Sequence, residues 1–149
     1  MIARILRFIL GAVFLYAAYT KLSQPWSLFA LSIDAYQLLP DYAVFAAART
    51  MPWIELALGL LLLAGWGLRW VAMATALILA TFFTLMLWSY GKGLAIDCGC
   101  FGAGESLSVK TLIRDGALLA SAIALTVLAF KRNFRNNKYG QYSSIAADR

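Results

Sequence analysis

Cys98 and Cys100 stand one residue apart in the stretch Ile96-Asp97-Cys98-Gly99-Cys100-Phe101-Gly102, and the 149-residue chain has no other cysteine. A thiol pair at this spacing has three chemical options. It can cycle between dithiol and disulfide, bind a soft ion such as Cu(I), or lie inert as two small apolar groups. A disulfide needs Cα atoms about 4.4–6.8 Å apart, and residues i and i+2 reach that only through a tight backbone. Gly99 admits such a turn because it lacks a Cβ and tolerates positive φ. Strained, exposed disulfides are the exchangeable ones. As a staple the pair would do little, since the entropic effect of a crosslink grows with loop length. These grounds favour the redox reading, with either Cys98 or Cys100 attacked and the other resolving. Copper binding and an inert pair stand as the alternatives.

Neighbouring residues would tune the thiols. A cation or a helix N-terminus lowers a thiol pKa, and an acidic or apolar surrounding raises it. Lys92, Lys110 and Arg114 are the candidate cations, and the helix after the loop adds its positive end. Asp97 acts in the opposite sense or relays a proton. Phe101 is a plug under the loop or a docking point for a partner, and Gly102 is a second glycine just after the pair. The chain contains no histidine. That excludes His-ligated haem, His-containing zinc sites and imidazole acid–base chemistry. Two cysteines cannot alone complete a four-cysteine zinc or iron–sulfur site, so no resident metal is expected, and the residues themselves fix no cofactor.

The elements that must position this loop are apolar. Hydrophobic residues make up 62% of the chain and charged ones 13%, with a mean hydropathy of +0.75. Soluble domains carry roughly 25% charged residues, so the expectation is a single-domain integral membrane protein. A transmembrane helix needs about 20 predominantly apolar residues. Four stretches qualify, at 3–20, 42–64, 70–90 and 109–130. The first begins with Arg4 and Arg7, as a secretory signal would, but Thr20-Lys21-Leu22 follows in place of a small-residue cleavage site, so a retained helix is expected. Between the first two spans, 25–38 is too short and polar to cross. It reads as an interfacial helix with Pro25 at its first position, Trp26, Phe29, Ala30, Ile33 and Gln37 on one side, and its end at Pro40-Asp41.

The second span holds Arg49, Pro52 and Glu55. Gly65-Trp66-Gly67-Leu68-Arg69 is a tight turn, and Gly91-Lys92-Gly93 ends the third span. Ser106 or Ser108 caps the fourth helix. The fold expected is an all-α membrane protein: a four-transmembrane-helix bundle over residues 1–132 with an interfacial helix after the first span, then a basic tail at 133–149 without fixed structure.

Glu55 is costly in an apolar helix unless it has a function or a partner. It either carries a proton or contacts a quinone, or it pairs with Arg49, Arg114 or Lys21. Trp26, Trp53, Trp88 and Tyr90 at one membrane face, with Trp66 and Trp70 at the other, read as interfacial anchors. Gly11 and Gly59 read as sites of close helix approach.

Basic residues near span ends set orientation. Arg4, Arg7, Arg69, Lys131, Arg132, Arg135, Lys138 and Arg149 fall on one side, and Lys21, Arg49, Lys92, Lys110 and Arg114 on the other. The net charge of +6 is thus a topology signal rather than a nucleic-acid one, and it fits contact with anionic lipid. The expected location is a bacterial inner membrane, with both termini cytoplasmic and the cysteine loop in the oxidising periplasm.

The motif Cys98-Gly99-Cys100-Phe101-Gly102 between two apolar spans, followed by Arg114-Asp115, resembles the MauE family of methylamine-utilisation membrane proteins. The wider frame is similar to the DoxX-like superfamily through Leu10-Gly11, Lys21-Leu22, Leu39-Pro40, and Pro52 with Glu55 and Gly59. The likeness spans residues 4–132. It implies a four-helix protein linked to redox maturation, with a thioredoxin-like periplasmic partner and a role in producing methylamine dehydrogenase. DoxX-named members are tied to quinone-linked sulfur oxidation, which implies a membrane quinone as electron acceptor by analogy. A non-enzymatic scaffold subunit and a copper carrier are the competing functions. The residues expected at the site are Cys98 and Cys100, supported by Asp97, Gly99, Phe101, Gly102, Arg114, Glu55 and Lys92.

Overall fold

The computed structural model describes residues 1–93, 97, 99, 101 and 106–147, with side chains described through residue 132. Five helices follow one another: α1 (Ile2–Leu22), α2 (Trp26–Asp34), α3 (Asp41–Ala64), α4 (Leu68–Gly91) and α5 (Val109–Ala147). Among the described residues there is no named strand; one isolated antiparallel bridge joins Asp97 to Ser106. Four helices are long and apolar enough to cross a membrane, namely Ile2–Leu22, Asp41–Ala64, Leu68–Gly91 and the Val109–Arg132 part of α5. The four-span architecture expected from hydropathy is the one observed.

The breaks between helices follow from backbone chemistry. Pro40 caps α3 in an extended conformation and Asp41 lies in its first turn, where a carboxylate complements the helix dipole. Gly65 closes α3 at φ 74°, and Gly67 opens α4 at φ 57°, so the connection uses two left-handed residues that glycine adopts freely. Ser108 and Thr111 cap α5 reciprocally. The Ser108 N–H donates to Thr111 Oγ1 at 2.9 Å, and the Thr111 N–H to Ser108 Oγ at 3.4 Å. Of the two serines considered, Ser108 is therefore the cap, and the backbone of Ser106 pairs with Asp97.

Three boundaries differ from expectation. Pro25 is the N-cap of α2 rather than its first residue, and α2 ends at Asp34 rather than near residue 38. Its chain tightens into three-residue turns, Tyr36 N–H to Ile33 O and Gln37 N–H to Asp34 O, as Tyr36 turns inward to 5% exposure. The buried side of α2 is Phe29, Ala30 and Ser32, while Trp26 and Gln37 are exposed. The expected apolar stripe missed Ser32 because α2 contacts more than one neighbour. Finally, α5 runs on to Ala147, past the expected end near residue 130. The stretch there contains no proline to stop the helix.

The bundle closes around Leu10, Phe14, Leu58, Leu62, Val71, Ala72, Ala122 and Leu125, contributed by α1, α3, α4 and α5. The closest approach is between α1 and α3. A Cβ on Gly59 would stand 3.1 Å from the Gly11 carbonyl oxygen and 2.9 Å from Leu15 Cδ2. Only glycine permits that contact, as in small-residue interfaces of membrane helices. A second cluster seats α2 on the first half of α3, with Phe29 and Ala30 against Val44 and Ala48. Outward faces carry large apolar groups such as Ile9, Leu60, Leu77 and Ile123, each about half exposed or more, as lipid-facing surfaces require. Hydroxyls on the spans bond back along their own helices, Thr81 to Leu77 O and Thr84 to Ala80 O among them. Those hydroxyls then need no water.

Candidate functional site

Lys21 lies in the last turn of α1 and Glu55 in the middle of α3. A helix side chain leans toward its own N-terminus, so the Lys21 stem reaches back into the bundle. Its Nζ donates to Glu55 Oε1 at 2.7 Å and Oε2 at 2.9 Å. Lys21 is 3% exposed and Glu55 5%. The ammonium also lies 5.0 Å from the Phe29 ring centroid of α2. Two opposite charges and an aromatic face thus tie α1, α2 and α3 together. Of the three partners considered for Glu55, Lys21 is the one observed. Arg49 instead stacks over Trp26 at 4.8 Å, and Arg114 binds Asp115, Nε to Oδ1 at 2.9 Å.

The cysteine stretch meets this group at Gly99, which lies against Phe29. Asp97 and Ser106 form the bridge at its neck, so the two ends of the stretch carrying both cysteines are held side by side. Gly99 is buried at φ 66°, and a Cβ there would stand 3.1 Å from Ser32 Cβ and 3.4 Å from the Phe29 ring. Glycine is therefore required twice, for its backbone conformation and for its closeness to α2. The Phe101 ring meets Tyr16 of α1 at 5.8 Å between centroids, and the Arg114 guanidinium of α5 lies 4.4 Å above it. The loop is anchored on α1, α2 and α5 at once. Cys98, Cys100 and Gly102 lie outside the described residues.

Beneath Phe101 is a cavity of about 40 Å³ among the four spans, walled by Phe14, Phe82, Phe83, Glu55 and Asp115. A water needs at least about 10–15 Å³, so the space suits a few ordered waters. Asp115 is 5% exposed. Two carboxylates, each held by its own cation, therefore face one small apolar chamber directly under the loop. Lys92 belongs elsewhere: it is exposed, and its Nζ stacks 4.0 Å over Trp88 of its own helix end. Among the described residues, the structure brings together Gly99, Phe101, Arg114 and Glu55, and adds Asp115, Tyr16 and Ser32. Asp115 was visible only as the neighbour of Arg114, and no sequence signal marked Tyr16 or Ser32 beyond being polar in apolar helices. No group of three or more His, Cys, Asp or Glu side chains among the described residues is placed to hold a metal ion.

A match to the family described as methylamine utilisation protein MauE covers residues 1–128. The chain belongs to the MauE family. The matched region contains all four spans' apolar parts, the cysteine loop and both ion pairs, and stops before the basic end of α5. No curated protein and no solved structure matches the chain. The MauE assignment and the four apolar helices agree on a membrane protein whose family is tied to methylamine utilisation.

Proposed function

We propose that this MauE family member is a membrane-held thiol–disulfide exchange protein whose working pair is Cys98 and Cys100. The observation that carries the reading is Gly99, buried at φ 66° against Ser32 and Phe29. A left-handed glycine between two cysteines gives the chain a fixed sharp turn at the one place where a strained ring would form. Phe101 and the Asp97–Ser106 bridge hold that turn from both sides.

The partner is a thioredoxin-like protein at the periplasmic face, where disulfides persist. Its thiolate attacks one loop sulfur, the S–S bond opens, and a mixed disulfide forms. The partner's second thiolate then displaces the loop sulfur. The partner leaves as a disulfide and the loop as a dithiol, with two electrons transferred. Reoxidation needs a second two-electron acceptor. The chamber under Phe101, at about 40 Å³, is far below the roughly 300–1,000 Å³ of sites that hold cofactor-sized ligands. It therefore favours a second disulfide carrier over a bound quinone, with Glu55 and Asp115 as stations for the protons. Maturation of a disulfide-rich periplasmic client, as the family resemblance implies, is the process served.

Trapping tests the assignment. With the second cysteine of the thioredoxin-like partner replaced by serine, the loop should accumulate a partner adduct that disappears on reduction, and the double variant Cys98→Ser with Cys100→Ser should form none. If no adduct forms and the double serine variant supports client maturation at the wild-type level, the chain is a scaffold subunit and the exchange role is wrong. Copper retained by the purified dithiol form would favour metal carriage instead.

A further inference from the structure

At the bundle end opposite the cysteine loop, Arg7 of α1, Arg69 of α4 and Arg132 of α5 line one open pocket of about 490 Å³, floored by Gly65, Gly67, Leu68 and Ala129. We propose that this pocket binds a phosphate-bearing anion, supplied by the headgroup of an anionic phospholipid.

Three separate helices bring their arginines to one concavity, which a purely topological scatter of basic residues does not require. The α3–α4 turn is shaped around one of them. A Cβ on Gly65 would collide with the Arg7 guanidinium, so glycine lets that group lie flat against the turn. Arg7 Nε is shielded from solvent and has no hydrogen-bond partner. A buried donor left unpaired is costly, and guanidinium groups suit phosphate oxygens as planar, bidentate donors. No carboxylate among the described residues competes: these are Asp34 and Asp41 around the α2–α3 junction, Glu55 on Lys21, Asp97 on the loop and Asp115 beside Arg114. None of the three arginines is in an ion pair among the described residues. Trp66 and Trp70, exposed beside the pocket, are the side chains that settle at headgroup depth. Basic pockets between spans are the usual receptors for anionic headgroups.

The test is lipid titration of the purified full chain, read by native mass spectrometry. Phosphatidylglycerol should bind at least about tenfold more tightly than phosphatidylcholine. Each basic residue at a headgroup is worth about a fivefold change, so Arg69→Gln and Arg132→Gln should each weaken phosphatidylglycerol binding by about that factor. Arg4 and Lys131 are exposed at the same end but do not line the pocket. The pair Arg4→Gln and Lys131→Gln should therefore change binding less than about twofold, beyond the general surface attraction. Arg132 is exposed, so its variant keeps the fold even if Arg69→Gln does not, and circular dichroism checks both. Inorganic phosphate that displaces the lipid at millimolar concentration would place a soluble phosphate in the same site and uphold its chemistry. Equal binding of the two lipids, unchanged binding by the Arg132 variant, or an equal loss in the Arg4 and Lys131 control would overturn the proposal.

Discussion

At the residue scale, Gly99 carries more of the site than its lack of a side chain suggests. It shares a positive φ with Gly93, 66° against 67°, but a Cβ at Gly93 would meet nothing within 4 Å, whereas one at Gly99 would press on Ser32 and Phe29. Forcing an L-residue into the left-handed region costs about 1–2 kcal/mol. Gly93→Ala should therefore lower stability by about that amount and leave partner exchange alone. Gly99→Ala should add the cost of the contact to the same backbone strain, and should slow exchange, because α2 or the loop must give way. Thermal unfolding and the rate of mixed-disulfide formation measure the two effects. Identical behaviour of the variants would mean the seat of Gly99 on α2 does not matter. The value of this glycine was half legible in the sequence. A cysteine–glycine–cysteine spacing implies a turn, but the second demand on Gly99 comes from Ser32, more than sixty residues away in the chain and unremarkable on a short helix.

At the scale of elements, the spans were readable to within a residue or two because the bilayer imposes their length and apolar character. The partner of Glu55 was not. Lys21, Arg49 and Arg114 all lie toward the same end of the bundle, and the choice among them depends on how each helix is rotated. The Gly11–Gly59 contact fixes that rotation for α1 and α3, bringing Lys21 onto Glu55 while Arg49 faces Trp26. Removing one member of a buried pair leaves an uncompensated charge, at a cost of about 3–5 kcal/mol. Lys21→Met alone and Glu55→Gln alone should each destabilise the protein on that order. The double variant should recover more than half of the loss, a coupling that a double-mutant cycle resolves. The activity of the double variant separates two roles. Preserved exchange makes the pair a strut between α1 and α3, and lost exchange in a stable double variant makes Glu55 a proton station. Neutral single variants would show that the bundle does not depend on this contact.

At the scale of the whole molecule, charge is segregated. Arg7, Arg69 and Arg132 gather at the end that carries the N-terminus and the α3–α4 turn. The buried Lys21–Glu55 pair, the half-buried Arg114–Asp115 pair and the cysteine loop occupy the other half. Hydropathy alone could place four spans but not their sense, which is inferred from the distribution of basic residues. The redox proposal depends on that sense, since a strained disulfide facing a reducing cytoplasm would be opened and kept open. Two reporter positions decide it in a chain whose own thiols are removed by Cys98→Ser and Cys100→Ser. Trp66 is 79% exposed in the α3–α4 turn, and Lys92 is exposed at the end of α4 nearer the loop. A membrane-impermeant maleimide applied to intact cells should label Lys92→Cys and spare Trp66→Cys, which should react only after the membrane is opened. The opposite pattern would put the cysteine loop in the cytoplasm. The exchange proposed for it would then have no oxidising compartment, while the arginine pocket would remain a phosphate site facing the other leaflet.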